Sequence, residues 1–219
     1  SGDRASFFYI NLSAVFVILF SRNLLRLRLV TLFSSLLLII IITYFNPVAK
    51  ERIIDYTLQQ MNLSSIENKK DDKIYMFSKT HHEIFISSYK MFLDNKIIGV
   101  GVKNFRNLCN EPKYKSPQKN TCTTHPHNTY LQILTETGII GFLFLIFALF
   151  YFCFHVIRHV VLKLKDKKYF NDFEICLLSG VVIYLMPIVP TGNVFNNWLS
   201  ITMILYLPLL IWSIKKSKF

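Results

Sequence analysis

The densest group of reactive side chains in the sequence is the segment Cys122–Tyr130, which reads Cys-Thr-Thr-His-Pro-His-Asn-Thr-Tyr. It contains His125 and His127, and Glu136 follows a few residues later. Imidazole has an ordinary pKa of about 6.5, so a histidine can take a proton from a reacting hydroxyl group near neutral pH. The cluster therefore predicts a site for proton transfer.

Glu136 lies two to three helical turns beyond His127 if a helix starts between them. A carboxyl group paired with an imidazole fixes its tautomer and raises its basicity. We therefore predict Glu136 and His127 as catalytic residues, with Asn128 and Tyr130 as neighbouring substrate contacts. The alternative is that these polar groups are solvated residues at a membrane surface.

A metal site is a second alternative for the same cluster. Zinc is held by four histidine or cysteine ligands in closed sites. The candidates do not match the spacing of a closed motif, and Pro126 constrains the backbone between two of them. We therefore expect no metal. No other cofactor is expected, because the sequence contains no nucleotide-binding motif Gly-x-x-x-x-Gly-Lys-Ser/Thr. The residues considered as ligands are His81, His82, Cys109, Cys122, His125 and His127.

Three cationic side chains could bind an anionic substrate. Arg4 lies at the start of the chain, and Lys103 and Arg106 follow the turn-forming element Gly99-Val-Gly101. Guanidinium groups match the oxygens of a diphosphate, and glycines let backbone amides approach phosphate closely. Gly-x-Gly by itself is a weak signal, and each cation alone is most often solvated.

The composition indicates what must position these residues. The 219 residues are 52% hydrophobic and 17% charged, whereas soluble domains are about one quarter charged. This excludes a soluble enzyme, and the apolar content also excludes a disordered chain. We predict an all-α, polytopic membrane helical bundle.

Five apolar segments are candidates for membrane spans, each of which needs about 20 residues. The last two share one long uncharged stretch, which Pro187, Pro190 and Gly192 interrupt to form a hairpin with a turn at 187–193. The predicted spans are 5–21, 29–49, 130–157 and the two halves of 175–214.

The distribution of charge predicts the orientation. The net charge is +12, and the basic residues concentrate in the link after the first span, in the link 158–172 and in the tail. Cytoplasmic loops collect Lys and Arg, so these links are predicted to be cytoplasmic and no nucleic-acid partner is expected. The resulting units are 1–49 with two spans, an outer loop 50–128, and 129–219 with three spans.

The outer loop is too long for a bare connector. Within it, Phe85, Tyr89, Phe92 and Leu93 recur at helical spacing, which predicts an amphipathic helix near 83–98. Such a helix could lie on the bilayer surface or pack on other parts of the loop. The pattern does not distinguish the two.

Two of the four cysteines fall in this outer loop. Cys109 and Cys122 flank a Pro- and Lys-rich stretch without a core of its own. Disulfides persist in oxidising compartments such as the periplasm. We predict a bridge between them that holds Arg106 close to His127; the alternative is two free thiols.

With these residues in view, the sequence resembles the C-terminal half of the O-antigen ligase and polymerase family of bacterial envelope enzymes, with earlier spans expected to precede it. The strongest motif runs from His127 to Gly141 and ends Glu-Thr-Gly-Ile-Ile-Gly. Two looser motifs support it: residues 95–105, where Lys96 replaces a usual Pro, and the start of the chain, where Phe8 replaces a usual Leu after Arg4.

The resemblance implies a transferase of the bacterial inner membrane with its active site facing the periplasm. Such an enzyme passes a glycan from undecaprenyl diphosphate to an acceptor sugar, namely lipid A-core or a growing chain, without nucleotide or metal. It implies that His127 is the essential base and that Arg4 and Arg106 contact the diphosphate. Members of the family usually have an Arg before the amphipathic helix, and this sequence has His81 or His82 in its place.

Two alternatives remain open. An O-antigen polymerase would carry the same motifs as a ligase. A transporter or flippase for lipid-linked sugars belongs to another class, and it should place ionisable residues near mid-membrane. The polar cluster lies at the outer surface instead, which favours the enzyme.

Overall fold

The computed structural model describes residues 2–61, 63, 74–75, 77–116, 121–186 and 189–216, and within these it leaves aside the side chains of 2–7, 52–53, 197–200 and 202–204. All regular elements in these ranges are helices, as predicted. They are α1 (Gly2–Phe20), α2 (Leu25–Phe45), α3 (Pro47–Lys50), a π-helical turn (Glu51–Asp55), α4 (Tyr56–Gln60), α5 (Lys79–Asp94), α6 (Phe105–Leu108), α7 (Thr129–Leu164), α8 (Asp172–Leu185) and α9 (Asn197–Lys216).

The predicted hairpin at the end of the chain is formed by α8 and α9, and α1 packs against it. Phe16 of α1 is buried in one cluster with Ile175 and Leu178 of α8. Ser213 near the end of α9 donates a 3.0 Å hydrogen bond to Glu174 at the start of α8, as expected for antiparallel neighbours. The first and third predicted units therefore share one bundle.

The first two basic links and the end of α9 lie at one end of this bundle. The backbone N–H of Arg22 donates to Asp172, 2.9 Å away, and Lys163 donates to the carbonyl oxygens of Leu19 and Ser21 at 2.7 and 3.0 Å. Lys215 and Lys216 follow Ser213 at the same end. This is the arrangement that the charge pattern predicts, and the side of the membrane on which it lies stays a prediction.

Two helices are long and apolar enough to cross a membrane, Leu25–Phe45 and Thr129–Leu164, among the residues that the structure describes. The predicted second span is shifted toward the N-terminus, because Asn46 ends α2 and its side chain caps α3, which Pro47 begins. The helix α8 has 14 residues, about 21 Å, which is shorter than a bilayer core of about 30 Å. The five-span bundle stays a prediction.

The helix α7 is longer than the predicted span and is kinked near its start. Gly138 has φ 66° and ψ −164°, which is not helical, so a short first segment precedes the long apolar part of the helix. This kink separates the first segment, which carries Gln132, Thr135 and Glu136, from the almost wholly apolar residues that follow.

The amphipathic helix exists as α5, four residues earlier than predicted. Ser78 sets its start, because its hydroxyl oxygen accepts a 3.2 Å bond from the backbone N–H of His81. Its buried side chains Ile84 and Met91 join a core cluster with Phe105, which matches packing on the loop. Tyr89 and Leu93 remain 50% and 43% exposed, whereas Phe85 packs against the cluster, so the face that the sequence singled out is only partly exposed.

Candidate active site

The segment Thr121–Asn128, here called the histidine loop, leads directly into α7. Asn128 caps this helix, since its side-chain oxygen accepts hydrogen bonds from the backbone N–H groups of Tyr130 and Leu131 at 3.0 and 3.1 Å. An asparagine is a favoured residue at this position. The cap fixes the chain direction one residue after His127.

His127 has the features of a reactive residue. Its backbone is left-handed, with φ 56°, a conformation that costs energy in a residue other than glycine and is often found at functional sites. Its ring lies 4.1 Å from the ring of His125 and 5.6 Å from that of His81, measured between centroids. Neither ring nitrogen hydrogen-bonds another of the described residues, which leaves both available to a substrate.

The surroundings keep His127 uncharged near neutral pH. Burial and, to a lesser extent, the nearby imidazole of His125 together lower its pKa to about 4. Burial removes water from the charged form, and a second protonated ring repels it. His127 therefore keeps one unprotonated ring nitrogen near neutral pH.

His125 is buried and held in one tautomer. Its Nε2 lies 3.2 Å from the carbonyl oxygen of Thr191, which can only accept, so Nε2 carries the hydrogen. Its Nδ1 then accepts from the hydroxyl of Thr124 at 2.9 Å. Burial lowers the pKa of His125, and the charge of Arg106 lowers it as well, although the bond to Thr191 acts in the opposite direction.

The structure does not bring Glu136 and His127 into the predicted contact. Glu136 is buried, and one carboxyl oxygen accepts from the backbone N–H of Phe105 at 3.2 Å while the other accepts from Gln132 at 3.2 Å. The helix carries Glu136 toward α6, whereas the ring of His127 lies before the helix begins, against His125 and His81. Glu136 therefore positions the loop that carries Arg106 and does not orient the imidazole.

The motif of residues 95–105 and the motif that ends Glu136-Thr-Gly-Ile-Ile-Gly141, here called the two glycine motifs, contact each other through their backbones. Val100 and Gly101 donate to the carbonyl oxygens of Thr135 and Glu136 at 2.9 and 3.0 Å. In return Ile139 donates to the carbonyl oxygen of Lys96 at 2.8 Å. The kink at Gly138 exposes these α7 carbonyl and amide groups, and the loop that contains Lys103 and Arg106 binds to them.

Cys109 and Cys122 are joined by a disulfide, with their Cα atoms 5.1 Å apart. The sulfur of Cys122 lies 3.9 Å from the carbonyl oxygen of Arg106, and the sulfur of Cys109 lies 3.9 Å from that of Thr123. The bridge thus connects the segment of Arg106 to the histidine loop, as the spacing predicted.

The other residues predicted to contact the substrate differ in their exposure and in their partners. Arg106 and Lys103 are exposed, and Lys103 has a left-handed backbone with φ 61°. The hydroxyl of Tyr130 donates to the carbonyl oxygen of Leu185 at 2.6 Å, which ties α7 to α8. Arg4 lies in the first turn of α1, and its side chain is outside the described part. Contact of these residues and of Asn128 with substrate stays a prediction.

The described residues do not form the zinc site that was considered as an alternative. No three His, Cys, Asp or Glu side chains are arranged to hold a metal ion within the described ranges. Cys109 and Cys122 are paired with each other, which removes two of the ligands considered.

Sequence reasoning missed the turn between α8 and α9 as part of the site. Thr191 contacts the histidine loop, and Asn193 accepts a 2.7 Å bond from Gln132. The signal was present, because Thr191-Gly-Asn193 is a polar group inside an otherwise apolar stretch. It was interpreted only as a chain reversal.

Comparison with known proteins identifies a family. A family model described as O-Antigen ligase matches residues 1–146, about two thirds of the 219 residues, and this range includes both glycine motifs and the histidine loop. No curated protein and no solved structure matches the chain. Because the matched range covers most of the chain and contains the site, the chain belongs to the O-antigen ligase family.

Proposed function

We propose that the chain transfers an oligo- or polysaccharide from undecaprenyl diphosphate to an acceptor sugar. Its family implies a membrane-associated, glycosyltransferase-like ligase that uses lipid-linked and acceptor glycans. The observation that carries the finer proposal is the position of His127, whose ring nitrogens bond none of the described residues, on a loop that the Cys109–Cys122 bridge ties to the segment of Arg106.

The proposed reaction is a single displacement at the anomeric carbon of the donor sugar. A ring nitrogen of His127 takes the proton of the acceptor hydroxyl as its oxygen attacks that carbon. The bond between the anomeric carbon and the diphosphate oxygen breaks, and its electron pair stays on the diphosphate. Attack from the opposite face inverts the anomeric configuration.

A pKa of about 4 leaves His127 uncharged but makes it a weak base in the free protein. A donor diphosphate bound nearby would bring negative charge, which favours the protonated imidazole and raises its pKa. Donor binding would therefore strengthen the base at the moment when it is needed.

The cations would act on the leaving group. As the bond to the sugar breaks, negative charge grows on the lipid diphosphate, and preorganised cations stabilise it. Arg106 and Lys103 lie on the loop bound to α7, and Arg4 is the proposed third contact from α1. We assign Glu136 to the support of this loop, through its bond from the Phe105 N–H.

The deciding experiment compares the envelope glycans of a deletion strain complemented with the wild-type chain or with His127→Ala. A ligase predicts that the variant leaves polymer on undecaprenyl diphosphate and none on lipid A-core. Single-repeat glycans attached to the core would instead identify a polymerase. Restoration of normal glycans by His127→Ala would contradict the proposed chemistry.

A further inference from the structure

The turn Val189–Asn196 between α8 and α9, here called the outer turn, is bonded to the histidine loop. The backbone N–H of Thr191 donates to the carbonyl oxygen of His127 at 2.9 Å. Its carbonyl oxygen accepts from His125 at 3.2 Å, and its hydroxyl lies 3.0 Å from that of Thr129. One residue of the outer turn thus contacts both histidines and the first residue of α7.

A second connection passes through Gln132, whose side chain is fully buried. Its amide nitrogen donates to the side-chain oxygens of Asn193 at 2.7 Å and Glu136 at 3.2 Å. Its amide oxygen accepts from the backbone N–H of Val194 at 3.0 Å. Glu136 in turn accepts from Phe105, the neighbour of Arg106. A continuous series of hydrogen bonds therefore runs from the outer turn to the loop that contains Lys103 and Arg106, here called the cationic loop.

We propose that the outer turn is a positioning element of the active site, with Asn193 as its main anchor. It holds the histidine loop and the cationic loop at fixed positions relative to each other, so that the base and the cations that contact the leaving group act on one bound donor. This proposal rests on the proposed function. The outer turn lies beyond the matched residues 1–146, so the family match does not assign it.

A turn that only reversed the chain would need none of these bonds. Buried polar groups are costly unless they are hydrogen-bonded, and Asn193 and Val194 supply two of the three hydrogen bonds of the Gln132 side chain. The side-chain oxygen of Asn193 also accepts from the backbone N–H of Phe195 at 2.9 Å, which shapes the turn itself. Removing this oxygen therefore loosens both the turn and its attachment.

The chain offers a matched set of variants. Asn193→Ala removes the accepting oxygen, whereas Asn193→Asp keeps it. Asn171→Ala is the control, because Asn171 caps the same helix α8 at its opposite end, through a bond from the N–H of Glu174. All three would be compared in the purified full chain, with kcat and donor KM normalised to folded protein.

We expect Asn193→Ala to lower kcat about tenfold, which corresponds to the loss of about one internal hydrogen bond that positions the reacting groups, with little change in donor KM. Asn193→Asp should retain most of kcat. Asn171→Ala should lower thermal stability and leave both constants unchanged. A wild-type kcat in Asn193→Ala, or an equal loss in Asn171→Ala, would overturn the proposal.

A readout without activity separates this proposal from the proposed function. Diethylpyrocarbonate modifies uncharged imidazoles, and His125 is 8% exposed in the wild type. At pH 7 its modification, followed by mass spectrometry, should be several-fold faster in Asn193→Ala and unchanged in Asn171→Ala. If no glycan is transferred and this acceleration is still seen, the proposed function fails while the positioning role stands. If the rates are equal, the positioning role fails.

Discussion

Gly99 and Gly138 lie so close that neither position has room for a side chain. A Cβ atom at Gly99 would be 2.5 Å from the backbone nitrogen of Gly138, and one at Gly138 would be 2.6 Å from the nitrogen of Gly99. Both residues also have positive φ, 70° and 66°. The two glycine motifs of the sequence are thus the two halves of one backbone contact, which sets the distance between the cationic loop and α7.

Alanine at either glycine should therefore disrupt the outer loop. The backbone strain alone costs roughly 1–2 kcal/mol, and the overlap with immobile backbone atoms adds to it. Gly101→Ala is the matched control, because its φ is also positive but the nearest atom to a new Cβ is 3.9 Å away. Limited proteolysis and thermal midpoints of the purified variants measure the difference. Equal effects at Gly99, Gly101 and Gly138 would show that the close contact is unimportant.

The sequence predicted features that depend on local pattern. The hairpin of α8 and α9 followed from apolar length and prolines, and the Cys109–Cys122 pair followed from spacing in a polar segment. Prediction from the sequence failed where contacts between residues far apart in the chain determine the structure. Glu136 was paired with His127 because both fall near one helix, yet its partner Phe105 is 31 positions away along the chain. The contact of Thr191 with His125 spans 66 positions, and no periodicity reports it.

His127→Ala should reduce transfer by at least about 100-fold, the lower range for a lost general base. His125→Ala should have a smaller effect, because His125 contacts the base and the outer turn without being the proposed proton acceptor. Turnover with a lipid-linked donor, in protein that purifies at wild-type yield, measures both. A larger loss in His125→Ala than in His127→Ala would transfer the assignment to His125.

The pH dependence of kcat/KM should reflect the lowered pKa of His127. With a pKa of about 4, the ring stays uncharged and active well below the ordinary midpoint. The acid limb should therefore fall near pH 4 to 5 and not near about 6.5. The stability of the fold should also decrease in acid. Because the folded chain disfavours the protonated ring, the free energy of unfolding falls as the pH drops from about 6.5 toward 4. A midpoint near 6.5 would contradict the buried setting.

The cations should affect the donor and spare the acceptor. Arg106→Ala should raise the donor KM and lower kcat, because the charge acts on both bound and leaving diphosphate. Arg4→Lys keeps the charge but loses the planar fork, so activity should fall even then. Lys115→Ala, an exposed cation of the same outer loop, is the control. Unchanged donor kinetics in both arginine variants would remove their diphosphate role.

The disulfide should be present in membranes and should hold the site together. Cys153 and Cys176 are the free cysteines of the described residues, so replacing both with serine gives a background in which only the bridge can be labelled. In that background, maleimide should label nothing until a reductant is added.

Closing a loop with a separation of 13 residues stabilises by roughly 3 kcal/mol in the chain-entropy model. Because the bridge touches the backbone of Arg106 and Thr123, reduction should also weaken donor binding before the protein unfolds. Free labelling without reductant, or donor binding that is insensitive to reduction, would show that Cys109 and Cys122 do not hold the cationic loop against the histidine loop.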